Sequence, residues 1–95
     1  MLQDKNYEKL IKEIGDCLSD NDRTVAEVAG SITNILLFSE QIYGEDFYFE
    51  DPSLNKLFEV STHMEWQPEA YGNRIEAMQN PFEEFRKRIN AASAF

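Results

Sequence analysis

One cysteine, one histidine, one tryptophan, three prolines and four glycines in 95 residues exclude several kinds of chemistry at the outset. Cys17 alone closes no intramolecular disulfide and builds no cysteine-based zinc cluster, which fits a reducing compartment. His63 alone excludes metal motifs and proton relays that need two imidazoles. Gly15, Gly30, Gly44 and Gly72 are scattered and form no phosphate-binding loop. Long apolar runs are lacking too, since no stretch approaches the ~18 residues of a membrane span. The opening MLQDKNYEKLIKEIGD spreads charges where a signal peptide carries an unbroken apolar segment. The expectation is a cytoplasmic protein that spans no membrane.

Basic residues are scarce as well: 9 Lys and Arg stand against 18 Asp and Glu, a net charge of −9. Such a field repels nucleic acid and anionic membranes, and attracts a basic protein surface. It raises the rate of that encounter more reliably than the affinity. What is present in quantity is apolar and aromatic: 42% hydrophobic and 13% aromatic residues, well above an acidic disordered segment. At this length the chain makes a single domain, residues 1–95, with one modest core and no room for a separately built cleft.

The remaining candidates for chemistry read as structural. Glu59 and Glu65 flank His63, but one imidazole and two scattered acids make no recognisable metal site, so His63 is read as a solvated or hydrogen-bonded helix residue. Cys17 sits between Asp16 and Asp20, which oppose thiolate formation, and is read as a small buried hydrophobe. The pairs Glu45-Asp46, Glu50-Asp51 and Glu83-Glu84 lack the pocket that would separate two carboxylate pKa values. The chain is expected to bind rather than catalyse, with no metal and no cofactor.

Periodicity gives an all-α chain. Tyr7, Leu10, Ile11, Ile14 and Leu18 recur every three or four residues and predict a helix from Asp4 to Ser19. Glu8 with Lys12 and Lys9 with Glu13 pair along its solvated face. A turn over Ser19-Asp20-Asn21-Asp22 leads to Thr24 and Glu27, spaced as a capping box. The helix they open runs from Val25 to Tyr43 and carries Val28, Ala29, Ile32, Ile35, Leu36 and Ile42 at helical period. It includes the all-round apolar run Ile35-Leu36-Leu37-Phe38 and is the expected centre of the core. Its Phe38 face fits either the bundle interior or another copy, which leaves the oligomeric state open. Gly44 is placed to stop it.

The segment EDFYFED, Glu45 to Asp51, is too short to assign. Asp51-Pro52 is an N-cap followed by a proline in the first helical position, and opens a third helix to Trp66 that buries Leu54, Leu57, Phe58, Ser61 and Met64. Pro68 to Met78 has room for one or two helical turns. Asn80-Pro81-Phe82-Glu83 repeats the start signal and opens a last helix with Phe85, Ile89 and Ala92 on one face. Four helices with short connections predict a compact antiparallel bundle.

Charge is distributed unevenly over this frame. Between Thr24 and Asn73 stand nine acids and a single base, Lys56, so the middle of the chain carries −8 and the two ends together −1. Aromatics interleave with these acids, a combination suited to a docking surface, where rings anchor and charges steer. The candidate partner-binding residues are Glu40, Tyr43, Glu45, Asp46, Tyr48, Glu50, Asp51, Glu59, Glu65, Trp66 and Glu69. An alternative reading has Phe47 and Phe49 closing the core while Tyr48 and the acids face water, and the two are compatible.

From Tyr43 onward, about half the chain, the order of features resembles the colicin D-type immunity proteins. Those features are a helix ending in Tyr43-Gly44, a DPSLNKLFE segment with Leu57-Phe58, a break at Pro68, a stretch containing Tyr71 and a final helix bearing Phe85. The resemblance implies a small acidic helical inhibitor that presents carboxylates to the basic cleft of a tRNA-cleaving toxin domain, in a bacteriocin or a contact-dependent growth inhibition system. The partner it implies is the C-terminal domain of a cognate nuclease toxin. An alternative for the same acidity is a phage-type nucleic-acid mimic that inhibits a host defence complex.

Overall fold

A computed structural model describes residues 7–93, with side chains as far as residue 91. Four α-helices appear in order: α1 (Glu8–Leu18), α2 (Val25–Tyr43), α3 (Pro52–Trp66) and α4 (Glu76–Ser93), with a 3₁₀ turn at Pro68–Tyr71. Each packs antiparallel to the next, and α4 closes back onto α1. Over the described residues the chain is an all-α four-helix bundle. The expected start of the first helix at Asp4 lies outside the described residues, and the inward placement of Ala92 beyond the described side chains.

Helix α1 buries Tyr7, Leu10, Ile14 and Leu18 along one stripe. On its solvated side Lys9 lies 4.0 Å from Glu13, while Lys12, expected to pair with Glu8, reaches forward to Asp16 at 3.4 Å. Both spacings are four residues, and exposed pairs of this kind contribute little. The capping box at the start of α2 is complete: Glu27 N–H donates to Thr24 Oγ1 and Thr24 N–H donates to Glu27 Oε1. These bonds hold the Glu27 carboxyl below the usual carboxylate range, chiefly through the Thr24 backbone N–H.

Helices α2 and α3 share the core. Val28, Ala29, Ile32 and Leu36 meet Leu54, Leu57, Val60 and Met64, all essentially inaccessible. Small residues allow the approach: Thr33 donates to Ser61 Oγ across the interface at 2.9 Å, and a Cβ added at Gly30 would stand 3.2 Å from Glu65 Oε1. Ile42, expected in the core, is 68% exposed. At this end of α2 the interior is filled by Tyr7, Tyr43 and Phe47, and Ile42 falls beside them on the outer edge of the stripe. Gly44 ends the helix at φ 103° and ψ 155°, a conformation open to glycine almost alone.

Helix α4 begins earlier than Asn80-Pro81 suggests. Its first turn forms over Ile75 to Gln79, with Met78 and Gln79 N–H both donating to the Ile75 carbonyl, and Pro81 lies inside the helix. An interior proline costs about 3 kcal/mol. Met78 and Phe82, one turn apart and both buried, offset it, since each contributes roughly 1.5–3 kcal/mol on burial. Phe82 also faces α1, where a Cβ added at Gly15 would stand 3.6 Å from its ring.

Candidate partner-binding surface

The residues between α2 and α3 fold as a turn of helix. Phe49 and Glu50 N–H both donate to the Asp46 carbonyl, at 2.9 and 3.2 Å. This geometry turns Phe47 and Tyr48 inward together and leaves Phe49 outside, at 56% exposure. An in-out-in alternation of 47, 48 and 49 belongs to a strand, and this segment is not one. The reading with Phe49 inward and Tyr48 outward is thus reversed at both positions.

Aromatic rings form a continuous path that fixes the turn to the bundle. Phe85 of α4 meets Tyr7 edge-on at 5.6 Å, Tyr7 meets Tyr43 at 4.6 Å, and Tyr43 meets Phe47 at 5.3 Å. Phe47 then meets Tyr48 at 5.3 Å, and Tyr48 stacks on Phe58 of α3 at 4.5 Å. Phe49 sits at the outer end of this path, 4.6 Å from Tyr48 and 6.4 Å from Phe58. The N-cap of α1 and residues of α2, α3 and α4 thereby help to position one exposed ring.

Two of the candidate residues, Tyr48 and Asp51, are buried and carry structural bonds. Tyr48 is buried, and its hydroxyl donates to the Glu40 carboxylate. Burial first, then the Glu40 bond and the charges of Glu40 and Asp46, push its phenol up to about 12. Asp51 is 1% exposed. Its Oδ1 accepts from Ser53 N–H at 2.8 Å and Leu54 N–H at 3.1 Å, and from the Arg88 guanidinium at 2.6 Å. The same Asp-Pro pair that signals a helix start in the sequence thus consumes this carboxylate internally. Tyr43 is half-buried within the aromatic path, and Glu40 is half-buried beside it.

The other candidates divide between two places. Glu45, Asp46 and Glu50 are exposed around Phe49, and none forms an ion pair among the described residues. Glu59 is exposed on α3, next to Phe58. Trp66, 78% exposed, lies with Glu65 and Glu69 at the opposite end of α3. With a rise of 1.5 Å per residue, that end stands roughly 20 Å from Asp51. Glu65 is half-buried against Gly30. The eleven residues therefore do not make one patch: the acid-rich turn and the Trp66 end are separate surfaces.

His63 is fully occupied. Its Nδ1 lies 3.0 Å from Tyr71 Oη and its Nε2 lies 3.1 Å from Gln67 Oε1, so the ring ties α3 to the 3₁₀ turn. The Cys17 thiol is pushed up, mainly by burial, with the nearby Arg23 opposing and Asp16, Asp20 and Glu13 adding to it. Among the described residues no three His, Cys, Asp or Glu side chains are grouped to hold a metal ion, and no helix is long and apolar enough to cross a membrane.

Set against known proteins, the chain matches no protein family, no curated sequence and no solved structure. What can be said of function comes from the residues themselves.

Proposed function

We propose that the chain is an immunity protein that binds and neutralises a cognate tRNase-type toxin domain, of a bacteriocin or of a contact-dependent growth inhibition system. It does so by laying the turn between α2 and α3 over the toxin's basic cleft. The observation that supports this most is the placement of Phe49, an exposed ring held from behind by Tyr48 and Phe58 and ringed by Glu45, Asp46 and Glu50. An aromatic anchor with little entropy left to lose, among carboxylates that form no ion pair among the described residues, is the arrangement of an interface hot spot.

A nuclease cleft holds RNA phosphates with Lys and Arg, and carboxylates at the rim can take the place of those phosphates. The −8 carried by the middle of the chain steers the encounter, and Phe49 supplies the apolar contact that a field alone lacks. Inhibition is by occupancy, so no catalytic step and no cofactor is assigned, and the site of action is the cytoplasm, where tRNA is cleaved.

The test is co-expression with the toxin domain encoded beside this chain. Growth rescue and a stable complex are expected, with both lost when Glu45, Asp46 and Glu50 are replaced together by Lys. Protection and affinity unchanged by that triple replacement would sink the proposal. Binding to a nucleic-acid-binding host assembly in place of the toxin would favour the phage-type mimic.

A further inference from the structure

A second surface lies on the α1 side of α2 and ends at Tyr43, whose ring also meets Phe47 of the acidic turn. Between α1 and α2 runs an open groove of about 300 Å³, floored by Leu10 and Ile35 and walled by Phe38 and Ile42. Phe38 is 70% exposed and Ile42 68%, an unusual apolar display one helical turn apart on a chain this polar. Among the described residues, the charged side chains lining the groove are one of each sign, Lys9 and Glu13, on α1. They too are one turn apart, with Lys9 largely open to solvent and Glu13 about half so.

Charge decides what fits here. A basic partner of the kind drawn to the turn finds no net charge in this groove, and an acidic partner finds none either. A second copy of the same chain does find complementarity. In a two-fold interface each residue faces its counterpart's partner, so a patch must be complementary to itself. Tyr7 before α1 packs on Tyr43 at the end of α2, so the two helices run antiparallel, and Lys9 falls toward the Ile42 end of the groove and Glu13 toward the Phe38 end. One axis through the middle of the groove therefore brings Lys9 onto the second copy's Glu13 and Phe38 onto its Ile42, each twice.

We propose that the α1–α2 groove is the interface of a homodimer related by this axis. The dimer buries Phe38 and Ile42, two of the apolar side chains that the fold leaves outside. It keeps the locally neutral faces together and the acidic turns apart, which limits repulsion between two chains of charge −9. It leaves Phe49 and its acids free in both copies.

Light scattering and sedimentation on the purified chain test this directly, with folding of every variant checked by circular dichroism. Dimer mass at high micromolar concentration is expected for the native chain, and monomer mass for Phe38→Asp. Lys9→Glu and Glu13→Lys should each give a monomer, because each puts like charges across the axis. Mixed one to one, these two variants should form a heterodimer, since the two introduced charges then face opposite ones; a purely structural role for Lys9 or Glu13 predicts no such rescue. A native chain that stays monomeric overturns the proposal, as does a dimer indifferent to Phe38→Asp or to the charge exchange. A monomer whose Phe38→Asp variant loses toxin binding would overturn it too, by assigning this face to the toxin.

Discussion

Asp51 and Arg88, 37 positions apart, are joined at 2.6 Å with the carboxylate buried and the guanidinium half-exposed. The same oxygen caps α3 through Ser53 and Leu54 N–H, so one atom closes the start of α3 and pins α4 to it. Loss of an N-cap costs about 1 kcal/mol, and breaking a buried pair costs more, here reduced because Arg88 keeps contact with water. Asp51→Ala should therefore lower stability by about 2–3 kcal/mol in urea denaturation. Asp51→Asn keeps the cap and loses the charge, and should cost about half as much. Full stability in Asp51→Ala with lost toxin binding would return this residue to the docking surface.

Pro81 offers a test of where α4 begins. Replacing it by Ala restores the N–H that would donate to the Ala77 carbonyl, removing a penalty of about 3 kcal/mol, and exchanges some buried ring carbon, at roughly 0.8 kcal/mol per CH₂, for a methyl. The net expectation is a gain of about 1 kcal/mol, read from the denaturation midpoint. A loss of similar size is the result expected of a proline in the first turn, and would place the start of the helix at Asn80.

These two prolines show why part of the fold was legible and part was not. Asp51-Pro52 and Asn80-Pro81 present the same local signal. At the first, Gly44 and the turn before it leave no helix to extend. At the second, Ile75 and Met78 upstream have an apolar surface to reach, and tertiary burial overrides the local preference. The capping box and the stripes of α1 and α3 were readable because propensity, period and burial agree there. The candidate surface was readable only as a charge map. Which of Phe47, Tyr48 and Phe49 faces water depends on a single turn of helix, and Asp51 is withdrawn from the surface by Arg88, far away in sequence.

Alkaline pH should unfold the chain through its tyrosines. Tyr7 is pushed up to about 12 by burial first, with Tyr43, Glu50 and Asp51 adding to it, Tyr48 reaches about 12 as well, and Tyr43 is raised chiefly by burial. A phenol raised from 10.0 on folding contributes stability that is complete below that value and disappears as pH climbs through the folded value. Stability should thus hold to about pH 10 and fall between 10 and 12. Phenolate absorbance should show these tyrosines ionising together with loss of helical circular dichroism. Ionisation near pH 10 with the helix signal intact would contradict the buried placement of Tyr7 and Tyr48.

Phe49 and Tyr48 should separate binding from folding, although they are adjacent in sequence and their rings touch. Phe49 is anchored from behind and open in front, so Phe49→Ala removes contact area from a partner while taking little from the core. If the proposed function holds, affinity for the cognate toxin domain should fall by about 2 kcal/mol, roughly thirtyfold in Kd, in calorimetric titration. Tyr48→Phe keeps the ring packing on Phe58 and deletes only the hydroxyl that donates to Glu40. It should cost about 1 kcal/mol of stability and leave Kd unchanged. Trp66→Ala completes the set, because it probes the surface at the other end of α3. If Trp66→Ala weakens the complex and Phe49→Ala does not, the toxin docks at that end, and the acidic turn serves only to steer it there.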